Sequence, residues 1–327
     1  MISDDPQYYL KGVLEQNRRI LSKTITLIES SLPAHQALAR VIIDHLLPHT
    51  GKAVRLGITG VPGVGKSTFI ENFGIRLLQK GHRVAVLAVD PSSTLSGGSV
   101  LADKTRMEKL SVMECAFIRP SPSGGTLGGV TRKTRETLFV CEAAGFDVLI
   151  IETVGVGQSE IAVASMVDFF LVLMLAGAGD ELQGIKKGIL EVADALAINK
   201  ADGDNIEKAK KAKSDYEAAL NLLCPPSYVW NPPVLTCSAL EMTGIDDIWE
   251  TILAHRKKLT TTGELEIKRK KQAVDWMWAL VDEGLKERFY RNNNIQKRLP
   301  KITKDVGKGI TSPTVAADEL LFLLDDG

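Results

Sequence analysis

The chain reads as an α/β protein: a mostly parallel sheet flanked by helices, set between a helical amino-terminal extension and a helical carboxyl-terminal arm. Three observations predict this. Short apolar runs at 54–59, 84–89, 116–118, 148–152, 169–175, 195–199 and 234–237 alternate with amphipathic segments. Several runs are apolar without a break, as strands buried on both faces of a parallel sheet must be. The pattern also changes at both ends, dividing the chain into 1–50, 51–255 and 256–327. The 327 residues are 44% hydrophobic and 24% charged, which suits a folded chain with a sizeable core and excludes a disordered or fibrous one.

The first region is predicted helical. Leu10, Val13 and Leu14, then Ile20 and Leu21, then Ile25 and Ile28 recur at helical spacing, and a further helix over 33–46 stops before Pro48. The last region opens with basic clusters at 256–258 and 268–271. A helical stripe of Val274, Met277, Trp278, Val281 and Leu285 follows, broad enough to predict a contact with a second copy of the chain. Glycine, asparagine and lysine punctuate 292–309, and a short helix is expected over 313–324.

Forty Lys and Arg balance forty Asp and Glu, which argues against a nucleic-acid partner. The four cysteines lie far apart with no CxxC pair, a pattern suited to a reducing cytosol. The start, 1–9, is polar and acidic, unlike a secretory signal. The longest strongly apolar run, 169–178, is short of the roughly 20 residues a membrane helix needs. A cytoplasmic chain with no membrane partner is the expectation.

Gly60, Val61, Pro62, Gly63, Val64, Gly65, Lys66 and Ser67 fit G-x-x-x-x-G-K-[ST] in full, after an apolar strand and before a helix. Such glycines let backbone amides curl around a phosphate, and the helix start offers its positive end to the same anion. Lys66 should reach the β/γ-phosphates and the Ser67 hydroxyl should ligate Mg2+. Asp90 and Glu152 close two strands, where a parallel sheet faces its ligand crevice. Each is a candidate to hold magnesium directly or through water; for Asp90 the alternative is a cap on the segment that follows.

Asn199, Lys200, Ala201 and Asp202 fit N-K-x-D directly after a strand. A carboxylate at Asp202 accepts two hydrogen bonds from guanine N1–H and its exocyclic amine. Adenine lacks that donor pair, so an unpaired carboxylate rejects it. Asn199 would buttress the loop and the Lys200 stem would lie over the base. Ser238, Ala239 and Leu240, after the 234–237 strand, fit the short loop that presents a backbone amide to guanine O6. Phosphate and base motifs together predict GTP and GDP as ligands.

The polar stretch 90–106 lies where a first switch belongs. Glu152, Thr153, Val154 and Gly155 resemble a D-x-x-G second switch with Glu for Asp, and the Gly155 amide would meet the γ-phosphate. The position that holds a water-orienting glutamine in Ras-type enzymes is Val156, with Gln158 two residues beyond. Slow unassisted hydrolysis follows. The loop 177–188 is dense in glycine and mixed charge; by composition it is a solvated loop.

The stretches 57–68 (GITGVPGVGKST), 86–93 (VLAVDPSS), 103–107 (DKTRM), 117–120 (FIRP), 152–160 (ETVGVGQSE) and 179–188 (GDELQGIKKG) closely resemble the methylmalonyl-CoA mutase-associated GTPases, the MeaB/ArgK family. The resemblance covers nearly the whole chain. It implies a P-loop GTPase of the SIMIBI class, homodimeric through its carboxyl-terminal arm. It implies a chaperone role for an adenosylcobalamin-dependent methylmalonyl-CoA mutase or related acyl-CoA mutase, gating cofactor loading and protecting that enzyme from inactivation. It extends the nucleotide site to Thr68, adds Asp103 to the magnesium set of Ser67, Asp90 and Glu152, and makes 177–188 a third switch. Gln183, Lys186 and Lys187 then become candidates to assist hydrolysis beside Lys66.

Two rival readings are a nickel-inserting metallocentre GTPase and a cytoplasmic kinase or ATPase serving amino-acid transport. Five scattered histidines and no cysteine pair argue against the first. Asn199 and Asp202 argue against ATP in the second.

Overall fold

A seven-stranded sheet carries the first of two compact units, Met1–Arg269; the second is Lys270–Gly327. The structure is a computed structural model that describes residues 3–89, 107–120, 127–153, 158–176, 187–223 and 229–325. The strands are β1 (Val54–Gly60), β2 (Val84–Val89), β3 (Ala116–Arg119), β4 (Val148–Thr153), β5 (Phe169–Leu175), β6 (Ala195–Asn199) and β7 (Val234–Thr236). They stand in the order β3-β2-β4-β1-β5-β6-β7, and every pairing is parallel. Each expected strand is present.

The unbroken apolar runs are explained by burial on both faces. Along β5, Phe169, Leu171 and Leu173 enter one core while Phe170, Val172 and Met174 enter the other. Along β4, Val148 and Ile150 alternate with Leu149 and Ile151 in the same way. The first core is covered by α4 (Lys66–Gln79), α5 (Glu108–Ser111) and α10 (Ile245–Thr262), through Phe69, Phe73, Leu110, Trp249 and Ile252 among others. The second is covered by α6 (Leu127–Ala143), α7 (Gln158–Ala164), α8 (Lys187–Val192), α9 (Ile206–Leu223) and the amino-terminal helices.

Those amino-terminal helices are α1 (Pro6–Leu14), α2 (Arg18–Glu29) and α3 (Pro33–Leu46). Asp5 caps α1 by accepting from the Gln7 N–H, and Asn17 caps α2 by accepting from Arg19 and Ile20. Pro48 does not end the chain's helical path outright, because α3 tightens into a 3₁₀ turn at Leu47–His49. Leu10, Val13, Leu21, Ile25 and Ile28 are buried in the same core as the sheet, whereas Leu14 stays exposed.

The helix α11 (Glu264–Arg291) begins in the first unit and continues into the second, which it forms with α12 (Asn293–Gly307) and α13 (Pro313–Asp325). Within the punctuated stretch, Asn293–Gly307 is helical. Asn292 starts it as a cap, accepting from the N–H groups of Asn294 at 2.8 Å and Ile295 at 3.2 Å. Ile295 and Ile302, a two-turn interval apart, then bury their side chains. Val274, Met277, Trp278, Val281 and Leu285 stay exposed in the single chain, Trp278 at 58%. No helix among the described residues is long and apolar enough to cross a membrane.

Candidate functional site: a phosphate loop joined to a base loop

The loop after β1 enters α4 at the carboxyl edge of the sheet, where β1 lies between β4 and β5. Two glycines are there for stated reasons. A Cβ at Gly60 would lie 2.5 Å from the Leu173 carbonyl oxygen. Gly65 has φ +90°, a region that disfavours side chains, and a Cβ there would meet Asn199 Nδ2 at 3.1 Å. Val64 is fully buried and anchors the loop. Because α4 starts at Lys66, the positive end of a 14-residue helix faces the loop. Lys66 Nζ donates to the carbonyls of Gly60 at 2.6 Å and Val61 at 3.3 Å, which holds its ammonium over the loop. Pro62 and Gly63 form the exposed rim, and Thr68 is exposed as the third residue of the helix.

The strand register brings Glu152 to this place, since Ile58 of β1 pairs with Glu152 of β4. The Ser67 hydroxyl donates to Glu152 Oε1 at 3.3 Å. Behind them Thr153 Oγ1 donates to Thr59 Oγ1 at 2.7 Å, a buried bond that pins the two strand ends together. A hydroxyl beside a carboxylate is the hard-oxygen chemistry magnesium takes, usually with several waters. Among the described residues no three His, Cys, Asp or Glu side chains converge, so Ser67 and Glu152 would hold such an ion with water and with groups from elsewhere. Asp90 and Asp103 lie outside the described residues.

The base loop is tied directly to the phosphate loop. Asn199 is 1% exposed at the end of β6; its Nδ2 donates to the Val64 carbonyl at 2.8 Å. Its Oδ1 accepts from the Ala239 N–H at 3.0 Å and from the Cys237 thiol at 3.6 Å. Burial pushes that thiol up to about 12, so it stays protonated and able to donate. Lys200 has φ +59°, and its Nζ donates to the Gly63 carbonyl at 2.9 Å. Asp202 accepts from the Ser238 hydroxyl through Oδ2. That bond aims the carboxylate, while Oδ1 carries no partner among the described residues. Leu240 is exposed, at the tip of the 238–240 loop.

Sequence reasoning thus named Gly60 to Ser67, Glu152, Asn199, Lys200, Asp202 and Ser238 to Leu240, and the fold brings them to one edge. It missed the Thr59–Thr153 pair and Asn72, whose Nδ2 donates to the Ala239 carbonyl at 2.6 Å. Thr59 and Thr153 each lie in a recognised string, but their pairing follows only from the register of β1 against β4, and Asn72 belongs to no motif. Gly155, Val156, Gln183, Lys186 and the side chains of Gln158 and Lys187 lie outside what is described, as do residues 90–106 and 177–186, where a first switch and most of the 177–188 loop are expected.

Residues 21–294 match the family described as "Methylmalonyl Co-A mutase-associated GTPase MeaB". The chain is 47% identical over 311 residues to GTPase ArgK of Escherichia coli, covering 95% of this chain and 94% of that one. It is 46% identical over 334 residues to the mitochondrial methylmalonic aciduria type A homolog of Mus musculus, covering 98% and 80%. A crystal structure titled as an LAO/AO transport system kinase superposes with a TM-score of 0.78 at 40% identity, covering 98% of this chain and 97% of that chain.

Proposed function

Because the chain belongs to the methylmalonyl Co-A mutase-associated GTPase family and is a GTPase, we propose that it serves as the guanine-nucleotide switch of an adenosylcobalamin-dependent acyl-CoA mutase of the methylmalonyl-CoA type. The observation that carries this reading is the direct join between base and phosphate sites. Asn199 holds the Val64 carbonyl and Lys200 the Gly63 carbonyl, so recognition of guanine at Asp202 sets the loop that cradles the phosphates. Nucleotide state then gates loading of the mutase's cofactor and guards the mutase from inactivation.

Each side chain has a task. Lys66 releases its loop carbonyls to meet the β/γ-phosphates. Ser67 and Glu152 hold Mg2+, with Asp90 and Asp103 as further ligands; the ion's chemistry is to neutralise phosphate charge. The Gly155 amide meets the γ-phosphate. The loop 177–188 reports nucleotide state to the mutase, with Gln183, Lys186 and Lys187 reaching toward the attacking water or the developing charge. The exposed stripe from Val274 to Leu285 closes a homodimer. The transport-kinase title belongs to the structural neighbour; a carboxylate at Asp202 favours guanine over adenine in this chain.

The test is single-turnover phosphate release from GTP, with and without an adenosylcobalamin-dependent mutase, beside co-sedimentation of the two proteins in GTP, GDP and no nucleotide. Stimulated hydrolysis and nucleotide-dependent association are expected. Hydrolysis unchanged by such mutases would overturn the chaperone reading, and equal stimulation of Gln183→Ala, Lys186→Ala and Lys187→Ala would remove the loop from it.

A further inference from the structure

Three side chains on one face of α4 reach the segment that follows β7. Asn72, Arg76 and Lys80 recur at intervals of four, so they stack along one side of the helix. Asn72 Nδ2 donates to the Ala239 carbonyl at 2.6 Å. Arg76 grips Asp246 through Nε, at 3.0 and 3.2 Å, and through Nη2 at 2.7 Å. Lys80 Nζ stands 3.0 Å from the same carboxylate. The chain between Ala239 and Asp246 is therefore held at both ends by the helix whose first residues are Lys66 and Ser67.

The contact at Ala239 does more than fasten the loop. In a trans peptide the C=O and N–H point in opposite directions, and the described chain has no cis bond. The Ala239 carbonyl and the Leu240 N–H share one such peptide plane. The amides around it are committed: Ser238 N–H donates to the Thr243 carbonyl at 3.0 Å, Ala239 N–H to Asn199 Oδ1 at 3.0 Å, and Glu241 N–H to Ser238 Oγ at 3.0 Å. Between them the Leu240 N–H has no acceptor among the described residues. Asn72, by holding the carbonyl toward α4, turns that N–H outward at the exposed tip beside Asp202.

We propose that Asn72 is a positioning residue for base recognition, orienting the Leu240 N–H as the donor to the 6-oxo group of guanine. The proposal rests on the guanine reading of Asp202 and deepens it. Asp202 reads N1–H and the 2-amino group, whereas the Leu240 N–H reads position 6. Adenine carries an amine at position 6, so a fixed N–H there faces a donor and rejects it. Arg76 and Lys80 keep the loop attached without Asn72, so loss of Asn72 frees one peptide to rotate and leaves the Asp202 side of the site in place.

The experiment uses the full chain as wild type, Asn72→Ala and Asn72→Asp; the second keeps the size and removes the donor. Affinities for GDP, 6-thio-GDP, IDP and ADP are measured by competition, and GDP release is followed with a fluorescent analogue. Both variants should release GDP about tenfold faster, the size of one lost hydrogen bond. Their preference for GDP over 6-thio-GDP, whose sulfur is a poor acceptor, should shrink, and so should their preference over ADP. The preference for GDP over IDP, read at Asp202, should stay as in wild type. Wild-type release and undiminished 6-position preference in both variants would overturn the role of Asn72. So would an equal fall in the GDP-to-IDP ratio, which would mark a general loosening of the loop. A wild type that binds ADP as tightly as GDP would instead overturn the guanine reading itself, before any variant is compared.

Discussion

Replacing Arg269 with methionine should destabilise the first unit by about 3–5 kcal/mol, because it removes one partner of a buried ion pair and strands the other. Asp168 is 2% exposed at the start of β5. Its carboxylate receives Arg269 Nε at 2.8 Å, Arg269 Nη2 at 2.7 Å and the Arg55 N–H at 3.0 Å. Arg269 also donates to the Gly51 and Ala53 carbonyls, the latter at 2.8 Å. Methionine keeps the apolar stem and deletes all of these but the Arg55 bond. Burial alone pushes the Asp168 carboxyl up, but the hydrogen bonds and charge of Arg269 outweigh it and hold the group below its ordinary value. A carboxyl depressed in the folded state adds stability that is fully present above its unfolded pKa of about 3.9 and is lost as pH falls through the folded value. In the variant, burial is opposed by the Arg55 N–H bond and charge without the help of Arg269, and acid relieves it by protonating Asp168. The gap between the two proteins should therefore be widest near neutrality and narrow in acid. Urea unfolding followed by tryptophan fluorescence measures it, and thermal melts should show a displacement of about 10 °C. A gap under about 1 kcal/mol at neutral pH, the size of an exposed pair, would refute the reasoning, as would a gap that acid leaves unchanged.

Asp202→Asn should weaken GTP binding by a factor of about 100 or more, since hydrogen bonds to a charged group contribute about 1.5–3 kcal/mol each, and should improve binding of xanthosine nucleotides; calorimetric titration of both reads the result. Lys66→Ala should abolish GTP turnover while the melting temperature stays near wild type, because Lys66 donates to loop carbonyls at the crevice and its side chain enters neither core. Met277→Asp with Trp278→Asp should convert the proposed dimer to a monomer in sedimentation velocity, as both side chains are exposed on α11; an unchanged sedimentation coefficient would send the interface elsewhere.

Much of the site was legible because phosphate and guanine recognition depend on short contiguous strings. Gly60 to Ser67 must be consecutive for amides to surround an anion, and Asn199 to Asp202 for one turn to carry both buttress and acceptor. Asn72 was not legible. It lies mid-helix with an ordinary polar side chain, and its partner carbonyl is reached only after β7 returns to the sheet. The helix α12 was not legible for a related reason. Asn292 resembles a breaker in the sequence, and only the bonds it accepts from Asn294 and Ile295 show it to be a cap. The basic cluster at 268–271 names no partner in the sequence. Lys268 in fact donates to the Asp168 carbonyl at 2.7 Å, and Arg269 closes on the Asp168 side chain.

By itself the sequence determined whatever local chemistry dictates: seven strands from unbroken apolar runs, the phosphate loop from its glycines, and a carboxylate placed to read guanine. Only the tertiary structure decided which strand ends stand side by side. The order β3-β2-β4-β1-β5-β6-β7 sets Glu152 beside Ser67 and brings Asn199 against Val64. The physical reason is that parallel strands are joined through distant crossovers, so their register is settled by packing of both sheet faces, a property of the whole chain that no local string carries.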